Sequence, residues 1–454
     1  MTDSQNGAGP LHALHERMQA QLPIVDRSAD LADTAAFLGN LQLPVHRWFR
    51  YKESFGANLL VALGIDMRPL QDNTAAFVDP FCGVGTTILA GDLQHRWKAL
   101  RIGVEVNPFI AFAAEIKAQW RAFNPDRLLE LIEQVLKNPL RSDIEPVVWP
   151  ALSTFHNERL FAADRVSQLV DAVDRVTALD DHERDLLLLG IAATAEEVGL
   201  YRKDGRALRV LDSQQLIAER QGLSVERALR CIWTRYVTDL RSLSERTPAA
   251  PGPHRVLQGD GRDLAIDVDD ILGDRRVALI AFSPPYLNHI DYTEVYKVEL
   301  WLLRHVAKQS EMLDLRRRTL RSHASVLFDE PDEELPETVK KAIELACDAV
   351  EQSGSKWHAR LRAVAIGYAS DLQRSLRRQH ALLAPDGRVV CVVGNSSHGR
   401  SEHLATIAAD LWIAHIASSL GFQVEKLMIV RRLRRRGDEC EFLRESAIML
   451  RKRP

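Results

Sequence analysis

The feature that most constrains this chain is an order of events that recurs along it: a short apolar run stops abruptly at a cluster of turn residues. Ala76-Phe77-Val78 runs into Asp79-Pro80-Phe81-Cys82-Gly83-Val84-Gly85-Thr86-Thr87, and Leu100 to Glu105 runs into Val106-Asn107-Pro108. Arg255 to Gln258 stops at Gly259-Asp260-Gly261, and Val277 to Phe282 stops at Ser283-Pro284-Pro285-Tyr286. Short apolar runs bounded by turn signals suit strands covered on both faces. A helical stretch, Thr87 to His95, separates the first two. The opening therefore reads strand, glycine turn, helix, strand, the start of a doubly wound sheet. Later, helix Asp371 to Leu383 passes through Pro385-Asp386-Gly387 into strand Arg388 to Val393. Helix Ala405 to Leu420 precedes strand Gln423 to Arg431, and Ser446 to Leu450 is a last strand. The expected fold class is α/β, a Rossmann-like sheet of seven strands carrying helical insertions.

The insertions lie where the alternation lapses. From about Phe109 to Leu243, Leu, Ala, Glu and Arg recur at helical spacing, interrupted by the polar stretch Tyr201 to Leu208. A second charged, helix-rich stretch runs from about Arg304 to Gly367. The chain thus divides into a polar, partly helical leader (1–42), a first core segment (43–110) and a helical insertion (111–250). A second core segment with the Ser-Pro-Pro-Tyr turn (251–303), a second helical insertion (304–366) and a C-terminal core segment (367–454) follow. With 454 residues, 46% of them hydrophobic and 27% charged, there is material for a sizeable core and for such additions.

No basic, apolar signal segment opens the chain, and no apolar run approaches the roughly 20 residues that cross a bilayer. Cys82, Cys231, Cys347, Cys391 and Cys440 are widely spaced, without a CxxC pair. That points to neither a zinc site nor a redox pair, and to reduced thiols in a cytoplasmic protein without a metal. The net charge of −3 does not advertise a nucleic-acid binder. Arginine is nonetheless clustered, at 316, 317, 318 and 321, at 374, 377 and 378, and at 431, 432, 434, 435 and 436. Each run alone reads as a solvated face; three together favour at least one meeting phosphate.

Each turn also carries chemistry. Glycines after a strand let a ligand approach the backbone, and the helix beyond offers free N–H groups, although a lone Gly-x-Gly equally serves a ligand-free turn. Glu105 stands about 20 residues on, at the end of the next strand, where a carboxylate can accept from ribose hydroxyls. Asp260, in a Gly-Asp-Gly turn, could accept from an adenine amine. Two prolines after Ser283 fix φ and remove two donors, so carbonyls, a hydroxyl and the Tyr286 ring are presented together. That set suits a planar base bearing an NH2 group.

The series resembles the DNA amino-methyltransferases, which modify N4 of cytosine or N6 of adenine. The resemblance covers roughly residues 43–110, 255–303 and 365–451, and implies a methyltransferase sheet that is mostly parallel with one antiparallel strand. It implies S-adenosyl-L-methionine as cofactor, held by Asp79, Pro80, Phe81, Gly83, Gly85, Thr86, Thr87, Glu105, Asn107, Asp260 and Gly261. Ser283, Pro284, Pro285 and Tyr286 match the catalytic tetrapeptide. Pro385 to Ser396 is similar to the strand that supports the target pocket. In this family Ser in the first position is typical of N4-cytosine enzymes and Asp or Asn of N6-adenine enzymes, so cytosine is preferred. The cofactor motif precedes the catalytic one, which sets the chain apart from the permuted class. The expected partner is DNA, its base flipped into the pocket, with RNA the lesser alternative.

In the expected mechanism Ser283 and the Pro284 carbonyl accept the amine hydrogens while Tyr286 stacks on the base. Catalysis is then mostly positioning and electrostatics, and needs no cysteine nucleophile. Asn288, Asp291 and Tyr292 are expected in the substrate pocket, with Tyr296 continuing its wall; Asp291 reads equally as a helix cap. His46, Arg47 and Trp48 could close the cofactor site from the front or belong to the core. Lys203, Asp204 and Arg206 read by default as a surface turn, with substrate contact the alternative. The first insertion is a candidate for target recognition. Rival readings are an RNA base-amine methyltransferase, a methyltransferase acting on a glutamine amide, and a non-catalytic binding module.

Overall fold

The computed structural model describes residues 9–143, 160–203, 208–246, 251–264, 267–288, 290–326, 328, 332–353, 358–400, 403–435 and 438–453. Asp204, Arg206, His289 and Arg436 lie outside the described residues. The main sheet contains β1 (Ile24–Asp26), β2 (Ala75–Asp79), β3 (Leu100–Glu105), β4 (His254–Gln258), β5 (Arg276–Phe282), β6 (Leu383–Gly394), β7 (Phe422–Arg435) and β8 (Asp438–Lys452). Their order is β1-β7-β8-β6-β5-β2-β3-β4. β8 runs antiparallel to both its neighbours, and every other pair is parallel. This is the Rossmann-like α/β sheet with its single antiparallel strand.

Alternation along the strands builds two apolar layers. Ala76 and Val78 face one side, with Leu100, Ile102, Val389 and Cys391, beneath helices Glu337–Gln352, His358–Leu382 and Ala409–Ser419. Phe77 faces the other, with Leu279, Val390 and Val392, beneath the segments around Leu31, Leu59 and Ile88. Both faces are covered, which is why these strands read as unbroken apolar runs. From β2 the chain crosses outward to β3 and β4, and on its return β5 opens on β2's other side. The carboxyl ends of β2 and β5 therefore lie side by side where the strand order reverses, and such a switch point leaves a crevice.

Several local readings change. Seven strands were expected and eight are present: β1, from the polar leader, pairs in parallel with β7, Ile24 opposite Leu427. Three residues, Ile-Val-Asp, are too few for a period, so only the neighbouring edge makes them a strand. The helix expected over Ala405–Leu420 begins at Ala409, because His403–Ile407 pairs antiparallel with Ser396–Arg400. Tyr201–Lys203 and Leu208–Val210 form a hairpin rather than a plain turn, with Tyr201 and Lys203 buried. Helix His358–Leu382 runs unbroken from the second insertion into the C-terminal core segment.

The helices between β3 and β4 have a core of their own, centred on Leu186, Leu189, Trp233 and Tyr236 and continuous with Phe109 and Tyr296. Among the described residues no helix is long and apolar enough to cross a membrane.

Candidate active site

The turn after β2 needs two left-handed residues, Gly83 at φ 51° and Gly85 at φ 77°, which glycine adopts without steric cost. Gly85 caps helix Thr86–Leu93 and packs on Ala114, where an added Cβ would come within 3.3 Å of Ala114 Cβ. Its part is conformational, and it does not reach the cavity described below. Gly261 is required by close approach: a Cβ there would lie 2.0 Å from the Pro80 carbonyl oxygen. The Asp79-Pro80-Phe81 and Gly259-Asp260-Gly261 turns are thus pressed together.

Above the switch point lies one cavity of about 690 Å³. Asp79, Pro80, Phe81, Cys82, Gly83, Thr86, Thr87, Glu105, Asn107, Asp260 and Gly261 line it. So do Ser283, Pro284, Pro285, Tyr286, Asn288 and Tyr292. The glycine turn and the tetrapeptide, some two hundred residues apart in sequence, therefore share one space.

Two of its carboxylates are held by backbone N–H groups and shifted by burial. Asp79 accepts from Phe81 N (3.1 Å) and Thr87 Oγ1 (2.6 Å), yet burial pushes its pKa up to about 7. Glu105 accepts from Gly83 N (3.1 Å) and Asn107 N (2.8 Å), and burial pushes it too up to about 7. Asn107 Oδ1 caps helix Pro108–Ala118, while its buried Nδ2 has no hydrogen-bond partner among the described residues. Asp260 is bound by the Arg262 guanidinium, Nη2 to Oδ2 at 2.6 Å. Burial drives the Cys82 thiol well above its ordinary value, and a Cβ on Gly103 would lie 2.8 Å from its sulfur. Cys82 is thus a tightly packed turn residue.

Ser283 Oγ donates to the Tyr286 hydroxyl at 3.2 Å, and that hydroxyl donates to Glu445 Oε1 at 2.7 Å. The Tyr286 ring rests on Gly394, where a Cβ would stand 2.7 Å from Cε2. Glu445 in turn accepts from Arg431, Nη2 to Oε2 at 2.9 Å. Asn288 and Tyr292 face the cavity. Asp291 lies behind that wall: it caps helix Tyr292–Val295, accepts from Thr293 N at 3.0 Å and pairs with Arg316 at 3.1 Å. Tyr296 is buried beneath the wall, its hydroxyl donating to Glu53 at 2.6 Å and its ring stacked on Tyr51.

The front of the cavity is closed by Tyr51, Lys52, Glu53, Ser54 and Phe55. His46, Arg47 and Trp48, read either as closing the site or as core, do not line it, and His46 and Trp48 are buried. Trp48 Nε1, Arg47 Nε and Val45 N all donate to the buried Asp239. Lys203 is no surface residue: it is buried, pairs with Glu299 at 2.5 Å and lies 4.5 Å from the Tyr296 ring centre. Sequence reading missed Tyr51 to Phe55, the residues at 318, 319, 322 and 323, and Arg431, Arg434 and Glu445, all of which line the cavity. Arg318, Arg431 and Arg434 stood in noted arginine runs; Glu445 carried no signal, being one of four acids in a polar stretch just before the apolar run Ser446 to Leu450.

No protein-family model matches the chain. It is 23% identical over 287 residues to the Type II methyltransferase M.BsoBI of Geobacillus stearothermophilus, a match covering 58% of this chain and about half (54%) of that protein. It is 23% identical over 426 residues to the Type II methyltransferase M.AvaI of a Nostoc species, covering 87% of this chain and 82% of that one. Among solved structures, the rRNA methyltransferase aviRa from Streptomyces viridochromogenes aligns over 91% of this chain and 87% of its own. Its 10% identity and TM-score of 0.29 carry no argument. In sequence, then, this chain is similar to Type II methyltransferases over most of its length.

Proposed function

We propose that the chain is an S-adenosyl-L-methionine-dependent DNA methyltransferase acting on an exocyclic base amine, N4 of cytosine by preference. The observation that carries the reading is the single cavity that joins the glycine turn to Ser283-Pro284-Pro285-Tyr286. Similarity to M.AvaI across 87% of the chain supports it.

The residues present fit the cofactor. When bound, it supplies a methyl group on a positively charged sulfur, and it carries an ammonium, ribose hydroxyls and an adenine. Asp79 and Glu105, raised to about 7 by burial, gain from a cation or a hydroxyl donor beside them. Glu105 takes the ribose, while Asp260, Asn107 and the N–H group of Thr86 serve the remaining polar edges. Asn107 Nδ2, buried and without a partner among the described residues, gains an acceptor.

On the substrate side Ser283 Oγ and the Pro284 carbonyl accept the amine hydrogens and turn the nitrogen lone pair toward the cofactor end of the cavity. Tyr286 and Tyr292 provide ring faces, and Asn288 a base-edge partner. Positioning in a water-poor site is the main source of rate. A base in duplex DNA has to leave the stack to arrive there. The helices of 111–250 form the candidate target-reading region, and the location is cytoplasmic.

Incubation of DNA and of RNA with labelled donor, then digestion and mass spectrometry, tests this. The expected product is N4-methylcytosine in DNA, abolished by Ser283→Ala and strongly reduced by Tyr286→Ala. Methylated adenine, or product in RNA alone, would replace the base or the polymer. Absence of both product and cofactor binding would leave a binding module.

A further inference from the structure

We propose that Glu445 is a positioning residue that sets the direction of a hydrogen-bond relay and makes Ser283 an acceptor. This rests on the reading of Ser283 as the group that meets the amine. The sheet register builds the relay. Glu445 on β8 stands opposite Gly394 on β6 and opposite Arg431 on β7, so the three form one row across three strands. Gly394 has no side chain, and the Tyr286 ring occupies the space a Cβ would need, 2.7 Å from Cε2. That seat brings the phenol oxygen to 2.7 Å from Glu445 Oε1. Arg431 donates to Oε2 at 2.9 Å and holds the carboxylate in place.

Direction follows from what each group can do. A carboxylate oxygen only accepts, so Tyr286 spends its one proton on Glu445. Its oxygen is then free to accept, and Ser283, 3.2 Å away, spends its own proton there. Ser283 is left with lone pairs alone toward the cavity, which is what an amine N–H requires. A serine hydroxyl without this constraint is free to rotate and to present its hydrogen to a base acceptor such as N3 of cytosine.

The same row gives the leaving proton a route. As the nitrogen–methyl bond forms and the sulfur–carbon bond breaks, the nitrogen holds one hydrogen too many. That proton passes to Ser283 Oγ, the serine proton to the Tyr286 oxygen, and the phenol proton to Glu445. The amine ends neutral, and the charge change is delivered to the residue beside Arg431.

The test uses the full chain with the DNA that the wild type methylates, comparing Glu445→Ala, Tyr286→Phe and the double variant. Tyr286→Phe keeps the ring and removes only the phenol oxygen. Each single variant is expected to lower kcat on the order of a hundredfold, with KM for DNA and cofactor affinity by calorimetry within about twofold. The double variant should be no slower than the worse single, because both break one relay. Wild-type kcat in either single variant, or losses that multiply in the double, would overturn the proposal. Should Glu445→Ala not fold, Glu445→Gln, which keeps the volume and removes the anionic proton acceptor, makes the same cycle against Tyr286→Phe with the same two outcomes. If the wild type itself transfers no methyl group to DNA, the functional reading fails first, and that result is separate from any difference among variants.

Discussion

At Asp79 and Glu105 burial and hydrogen bonding pull in opposite directions, and burial prevails, leaving both carboxyls near 7. Between their ordinary values, 3.8 and 4.5, and about 7 the folded protein keeps protons that the unfolded chain has released. Stability of the ligand-free protein should therefore fall as pH rises through that window. A cationic ligand selects the charged forms, so its affinity should rise from pH 6 to pH 8. Asp79→Asn is expected to melt higher than the wild type at pH 8 without ligand, while binding S-adenosyl-L-methionine about tenfold more weakly and with a flatter pH dependence. Calorimetry and thermal melts across that range measure both; a variant that melts lower or binds equally well would contradict the argument. That these two carboxylates stand at the rim of the sheet was legible from sequence, since each ends an apolar run next to a turn. Gly394 was not: its lack of a side chain matters only because Tyr286, more than a hundred residues earlier, lies on it.

At the scale of elements, β2 to β5 were read closely because their apolar runs are covered on both faces, β3 to the residue, whereas β6 and β8 run well beyond the expected Arg388–Val393 and Ser446–Leu450 because pairing extends them through polar residues. β1 escaped notice because three residues carry no period of their own. The front wall of the cavity escaped for a different reason: its anchor is distant in sequence. Asp239, on helix Val225–Arg246, accepts from Trp48 Nε1 at 3.0 Å and from Val45 N at 3.3 Å, and pairs with Arg47. It ties the segment that continues into Tyr51 to Phe55 onto the helical insertion. Asp239→Ala should cost about 2–3 kcal/mol, since it strands a buried indole N–H and a backbone N–H while Arg47 keeps partial access to water. Cofactor affinity should drop as well, although the residue does not line the cavity, because the front wall loses its tether. An unchanged melting temperature together with unchanged affinity would show that the wall is held by other means.

For the molecule as a whole, the described arginines of the runs are mostly at the surface, several of them in ion pairs, and only Arg316 and Arg321 are buried. Arg316 is buried and paired with Asp291 and Glu294, Arg321 with Asp371, Arg374 with Asp263, and Arg432 with Asp26. Arg316 and Arg321 are internal, whereas Arg374 and Arg432 pair at the surface, as a solvated face would have them. Arg318 differs, being exposed and on the rim of the cavity. With cofactor affinity unaltered, Arg318→Ala should weaken DNA binding and reduce the slope of log affinity against log salt by about one. Titrations at several salt concentrations measure the slope; an unaltered slope would remove Arg318 from the DNA path.

The sequence alone determined the α/β class, where its central strands lie along the chain and the residue types at each strand end. Those are local matters: a run of apolar side chains selects a buried strand, and glycine or proline selects the turn that follows. Tertiary structure decided which strand ends share a cavity, that Tyr51 to Phe55 close it and that Asp291 turns away. It also decided that one glutamate of β8 reaches the tetrapeptide. Such outcomes depend on register between strands distant in the chain, where a shift of one residue would send Glu445 to the opposite face of the sheet.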